Sequence, residues 1–247
     1  MKAFSTMFRT ELKLSLRGMD MVIFAICMPL VVTVLLGIIY GSKPAYDGAA
    51  YTFVAQSFGA VSTIAICAGG VMGLPLVVSE YRHRKILKRF WVTPVSPVKI
   101  LLVQVVVYAF YSAVSLILVY AAAAVFYGYR LAGSWLVFLG AWLLVMLSMF
   151  SIGIMVGGVA RDSQTAGILA SILYFPMLIF SGATLPYEVM PQALRRAADV
   201  MPLTQGIKLL KAASLGLPAE NATVPVIVMA VLAAVCTGVS IRFFRWE

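Results

Sequence analysis

Six stretches of the chain, residues 21–42, 48–79, 100–129, 131–160, 163–187 and 221–241, contain no Asp, Glu, Lys or Arg. Each meets or exceeds the roughly 20 residues that a helix rising ~1.5 Å per residue needs to cross ~30 Å of hydrocarbon. They are continuous runs of Leu, Val, Ala and Ile. A barrel would instead alternate apolar and polar positions in segments of about ten residues. The pattern therefore predicts an all-α polytopic membrane protein, one transmembrane domain over residues 1–247 with six transmembrane helices.

Polar positions mark what lies between the spans. In the first twenty residues Phe4, Phe8, Leu12 and Leu16 recur every fourth position, while Arg9, Lys13 and Arg17 form their own stripe. This is an amphipathic helix over 1–18, which either lies in the membrane interface or extends the first span. Residues 80–97 form a basic island between the second and third spans. Ile86 with Phe90 and Leu87 with Trp91 are i,i+4 pairs, and Arg82, Lys85 and Arg89 occupy another face, so a short amphipathic helix is predicted there. Pro94 disfavours helix at Thr93 and ends it, and Ser96-Pro97 suits the cap and first turn of the third span. Asp162 and Ser163 offer capping oxygens to the fifth span. Beyond Gly182, Pro186, Pro191 and Pro202 punctuate two amphipathic stretches, 192–200 and 203–215. Residues 183–222 thus read as an outer re-entrant segment that dips into the interface.

Composition agrees: 62% hydrophobic residues, 11% charged residues and a mean hydropathy of +1.00 exclude an ordinary soluble globule. The net charge of +10 would suit nucleic acid, but its distribution answers to the membrane. With the N-terminus inside, Lys2, Arg9, Lys13, Arg17, Arg82, Arg84, Lys85, Lys88, Arg89, Lys99, Arg161, Arg242 and Arg245 fall on the cytoplasmic side. Only Lys43, Arg130, Arg195, Arg196, Lys208 and Lys211 fall outside. That bias is the positive-inside signal, with anionic lipid as counterion and both termini cytoplasmic; no nucleic-acid role is expected.

Chemistry is sparse. Cys27, Cys67 and Cys236 lie in apolar windows and read as small packing residues. His83 stands among cations without a ligand set, so no metal is expected. The sequence has no Gly-x-x-x-x-Gly-Lys-Ser/Thr loop, so if ATP is the energy source its hydrolysis falls to another chain. No ionisable group sits mid-span, which disfavours a proton relay but leaves sodium sites built from carbonyls and hydroxyls open. Neither a Ser/His pairing nor an intramembrane Asp pair is present, and no enzymatic activity is expected. Gly37 with Gly41, Gly69 with Gly73 and Gly153 with Gly157 fit close helix packing, either within one chain or between copies. Asn221-Ala222-Thr223 matches the glycosylation triplet by chance.

Two signatures carry a resemblance. The first is Glu80, Arg82, Leu87, Arg89, Thr93, Pro94 and Ser96. The second is the Gly-Gly-Val-Ala-Arg-Asp run of 157–162, Phe175-Pro176, Phe180-Ser181-Gly182, Pro186, Pro191 and Met201-Pro202-Leu203-Thr204. In this order they resemble the type-2 permease family of ATP-binding-cassette exporters. The resemblance implies a subunit of the bacterial cytoplasmic (inner) membrane that works as a dimer, each copy engaging one cytosolic ATPase that carries ATP and Mg, with no cofactor on this chain. Residues 1–18 would be a connecting helix. Residues 82–91 would be a coupling helix, with Glu80, Arg82, Lys85, Leu87, Arg89, Phe90, Thr93 and Pro94 as its coupling residues. Lys85 stands where many relatives have Gly, so the island helix is expected to continue more rigidly here.

Substrate would pass between the copies along the second and fifth spans, past Gln56, Thr63, Phe175 and Ser181. Gln56 and Thr63 are seven residues apart, near one helical face, and need either a cavity or an internal hydrogen bond. Length and loop pattern are similar to those of drug and antibiotic-resistance exporters, implying amphiphilic, hydrophobic or lipid-like cargo. The alternative from another class is an ion-coupled secondary transporter or channel.

Overall fold

The computed structural model describes residues 2–41, 43–45, 51–86, 96–183, 190–218 and 220–243. Leu87, Arg89, Phe90, Thr93 and Pro94 of the island, and Pro186, lie outside the described residues. The described chain is helical: α1 (Lys2–Gly18), α2 (Val22–Tyr40), α3 (Phe53–His83), α4 (Pro97–Tyr127), α5 (Trp135–Val159), α6 (Ser163–Phe180), α7 (Gln192–Asp199), α8 (Pro202–Leu215) and α9 (Glu220–Phe243). Six of these, α2 to α6 and α9, are long and apolar enough to cross a membrane.

Local chemistry sets their ends. The Thr52 hydroxyl accepts from the Ala55 N–H at 3.3 Å to start α3, and the Asp162 carboxylate accepts from the Thr165 N–H at 2.7 Å to start α6. Pro97 sits in the first turn of α4, where a missing N–H is harmless. Met19, at φ 60, separates α1 from α2. The N-terminal helix is thus an independent element, and it docks on α4, with the rings of Phe8 and Phe110 edge to face at 6.2 Å.

The second span is the axis of the fold. In an 18-residue apolar stretch of this span 83% of residues are buried, against 22% in the like stretches of α2 and α9. Helices α2, α4, α5, α6 and α8 pack around it, while α9 packs chiefly on α5 and α8. Ile64 and Leu74 of α3 meet Tyr111 of α4, Phe138 and Met149 of α5, and Leu203 and Leu210 of α8 in the fully buried core. Of the two amphipathic stretches after the fifth span, α8 is wedged against α3: a Cβ on Gly59 would come within 2.8 Å of the Lys211 backbone. The α4–α5 turn is tied to the same helix by the N–H groups of Ala132 and Gly133, which donate to Ser214 O. Asn221-Ala222-Thr223 falls in the first turn of α9.

Residues Val22–Cys27 and Ala68–Gly73 are wound as wider π-helical turns. Each leads into a proline, Pro29 or Pro75, whose ring would strike the carbonyl four residues back in a regular helix; the wide turn relieves that clash. In α3 the widened turn is also where the glycines lie. A Cβ on Gly153 of α5 would fall 1.8 Å from Gly70 O, and one on Gly157 within 3.0 Å of Pro75, so α5 crosses α3 in backbone contact. Gly69 and Gly73 face the Tyr108 ring of α4, and Gly37 receives the Tyr127 ring. Gly37, Gly69, Gly73, Gly153 and Gly157 thus pack within one chain, whereas Gly41 is the C-terminal cap of α2 at φ 56. Cys67 and Cys236 are buried, but Cys27 is exposed, against the expectation that all three pack inside.

The island departs from expectation. Helix α3 ends at His83, Arg84 is its C-terminal cap, and Lys85 adopts φ 54. The helix does not run more rigidly through Lys85; the lysine takes the left-handed backbone that a glycine there would adopt freely. That conformation costs a non-glycine residue about 1–2 kcal/mol. Lys85→Gly is therefore expected to raise stability by about 0.5–1 kcal/mol, net of the larger unfolded-state entropy of glycine, and Lys85→Val to lower it. Thermal melts of the purified variants check both signs.

Candidate functional site

Three polar joints gather where α3 meets the basic island. The first is made by Arg82 in the last turn of α3. Its Nη1 donates to the carbonyl oxygens of Gly157 at 3.0 Å, Gly158 at 2.9 Å and Ala160 at 2.8 Å. The last carbonyls of a helix lack intrahelical partners and carry the negative end of its dipole, so a guanidinium satisfies both needs. The two glycines present no side chain to keep it away. Arg82 is only 7% exposed. Expected as a surface cation of the coupling helix, it is instead a buried clamp from α3 onto the end of α5.

The second joint is Glu80. One carboxylate oxygen accepts from Ser163 Oγ at 2.5 Å, and the other pairs with Arg84 Nε one turn on. Ser163 opens α6, so Glu80 holds the end of α3 against the start of the fifth span. Beside it, the Thr165 backbone N–H holds the Asp162 carboxyl below the ordinary carboxylate range and fixes that helix start.

The third joint reaches the N-terminal helix. Tyr81 OH donates to Glu11 Oε2 at 2.7 Å, and Gln104 Nε2 donates to that oxygen at 2.8 Å and to the Tyr81 hydroxyl oxygen at 2.9 Å. One side chain each from α1, α3 and α4 closes a triangle of hydrogen bonds. Glu11, Tyr81 and Gln104 were not among the residues the sequence pattern singled out, and Ser163, expected there as a capping oxygen, donates to Glu80 instead. Two traces existed: Glu11 is the single acid in an otherwise cationic helix, and Gln104 is a lone amide in an uncharged run.

The candidate passage residues are placed differently from one another. Thr63 is wholly buried and its hydroxyl donates to Ala60 O at 2.7 Å, the internal bond that satisfies a polar group in apolar surroundings. Gln56 is buried too, with its carbonyl oxygen bonded to no described residue. Ser181 is buried and accepts from the Ala183 N–H. Only Phe175, at 52% exposure on α6, stands open on this chain's surface. Among the described residues no group of three His, Cys, Asp or Glu side chains could hold a metal ion.

A buried second span ringed by apolar helices, with its polar joints at one end, defines an all-α multi-pass membrane protein. The family model described as ABC-2 type transporter matches residues 2–215, and the chain belongs to that family. Among curated proteins it is 27% identical over 140 residues to the inner membrane transport permease YhhJ of Escherichia coli (strain K12) and to its counterpart in Shigella flexneri, covering 55% of this chain and 36% of each relative. It is 29% identical over 98 residues to Nodulation protein J of Neorhizobium galegae, covering 40% of this chain and 35% of that relative. The matches thus span about a third of the length of these relatives.

Proposed function

We propose that the chain is the membrane subunit of an ATP-driven exporter of the inner membrane. Two copies work with two cytosolic ATPase chains that hold ATP and Mg, and both termini are cytoplasmic. The cargo is amphiphilic or hydrophobic, of the drug, antibiotic or lipid-like class. The observation that most supports this reading is the convergence of the joints beside the island. A displacement of the segment after Arg82 is shared through Arg82 with α5, through Glu80 with α6 and through Glu11, Tyr81 and Gln104 with α1 and α4. A subunit that receives motion from outside needs such a rigid collar where the force arrives. The charge-free spans are consistent with apolar cargo, and the placement of 13 of the 19 cations on one side supports the orientation.

In this reading residues 82–91 dock on the ATPase, with Leu87 and Phe90 entering an apolar groove and cations such as Arg89 meeting acidic groups. Glu80, Lys85, Thr93 and Pro94 set the turn that presents them. Leu87→Asp and Phe90→Asp leave the cation count unchanged but would bury an unpartnered anion, a loss of several kcal/mol. Both are expected to abolish co-purification with the ATPase and its stimulation by a compound panel, at unchanged membrane abundance. Glu80→Gln is expected to slow transport with less effect on assembly. Normal binding and transport in the two Asp variants would reduce the island to a topology signal.

A further inference from the structure

A cavity of about 460 Å³ opens between α1, the end of α3 and α4, beside the Glu11 joint. Three carboxylates, Glu11, Asp20 and Glu80, stand in its wall, and no Lys, Arg or His does among the described residues. Only Glu80 is offset by a cation, Arg84. Glu11 receives hydrogen bonds from neutral donors, and Asp20 makes no ion pair among the described residues. The remainder of the wall is largely apolar, with Leu14, Met21 and Leu76.

A second observation comes from Tyr108, which also lines the cavity. Its side chain is 4% exposed, and its hydroxyl hydrogen-bonds to no described residue; the charged groups acting on it are Glu11 and Asp20. A phenol that borders an acid-lined space, its hydroxyl without a hydrogen-bond partner among the described residues, can hydrogen-bond to a ligand there. The carboxylates surround the space without converging into a metal site. The volume lies in the range of roughly 300–1,000 Å³ usual for small-molecule sites.

We propose that this cavity binds an organic cation with an apolar tail, an alkylammonium amphiphile, within a single copy of the chain. The ammonium group sits among Asp20, Glu11 and the Tyr108 hydroxyl, and the tail lies along the apolar wall beside α1. The proposal is independent of the ATPase, of the dimer and of the direction of transport.

The test uses the full chain alone, in dodecyl maltoside, with a dodecylammonium probe carrying a diazirine on its tail. Light-induced labelling is mapped by mass spectrometry. Label is expected on peptides containing Leu14 to Met21, Leu76 to Tyr81 or Gln104 to Tyr108. Dodecyltrimethylammonium should displace it, and dodecyl sulfate at equal concentration should not. Asp20→Asn, at an exposed position where folding is unaffected, is expected to weaken the probe about tenfold. Tyr108→Phe, which keeps the ring against Gly69 and Gly73, is expected to weaken it by a smaller factor. Displacement by added phosphatidylethanolamine would assign the ammonium to a lipid headgroup, and failure of that lipid to displace would assign it to a free amphiphile; either supports the site. Equal displacement by dodecyl sulfate, labelling elsewhere, or unchanged affinity in Asp20→Asn overturns it.

Discussion

Arg82→Met is expected to destabilise the purified chain by about 3 kcal/mol or more and to stop transport even where the variant still reaches the membrane. The methionine fills most of the volume but donates nothing, leaving the carbonyls of Gly157, Gly158 and Ala160 without their guanidinium partner. Each buried acceptor left unsatisfied costs about 1–3 kcal/mol, and the end of α5 loses a cation at its negative pole. Arg82→Lys is expected to recover part of the loss, because an ammonium has three donors but sits on a shorter stem. The control is Arg84→Ala two residues on. That side chain is 68% exposed, and its pair with Glu80 lies at the surface, where such pairs contribute about 0–1 kcal/mol. Thermal melts order the three variants. If Arg82→Met melts with Arg84→Ala, Arg82 is a surface cation after all and the clamp is not a joint.

The contrast between these neighbouring arginines also shows what the sequence could and could not disclose. Spans and helix starts were legible because each depends on local chemistry: uninterrupted apolar runs, Asp162 capping α6, Pro97 in the first turn of α4, Pro202 opening α8. The burial of Arg82 was not legible, since it is decided by the carbonyls of residues 75 to 78 positions away, which the chain brings together only by crossing α3 over α5. The same holds for Glu11, which pairs with Tyr81 and Gln104 across 70 and 93 positions. A five-cation island looks uniformly exposed until one knows which member faces the glycine-rich end of another helix. Thr63 and Gln56 stood out as polar groups in an apolar run, but a face shared by two residues does not say whether it meets a passage or a neighbouring helix. Lys85 misled for a related reason: propensity favoured a continuing helix, whereas the turn after His83 is left-handed.

Gly153→Ala is expected to disrupt the packing on which that joint rests. The added methyl would sit 1.8 Å from Gly70 O and 3.2 Å from Leu74 Cβ. An ordinary carbon–oxygen contact is near 3.3 Å, so α3 and α5 must part by roughly 1.5 Å. The nearest atom is backbone, so no rotamer change can absorb the shift. Overpacking of this kind costs about 1–3 kcal/mol and more where backbones collide, enough to outweigh the gain of up to ~1 kcal/mol from replacing a mid-helix glycine. Gly140→Ala in the same helix separates the two contributions, because nothing lies within 4 Å of its added methyl. It is expected to be neutral or slightly stabilising, whereas Gly153→Ala loses about 2 kcal/mol or more. Transport should fall with it, since Gly157, one turn on, carries one of the carbonyls that Arg82 holds, and helices forced apart at Gly70 cannot keep that bond. A Gly153→Ala protein as stable and active as Gly140→Ala would mean that the backbone contact between α3 and α5 is needed neither for the fold nor for transport.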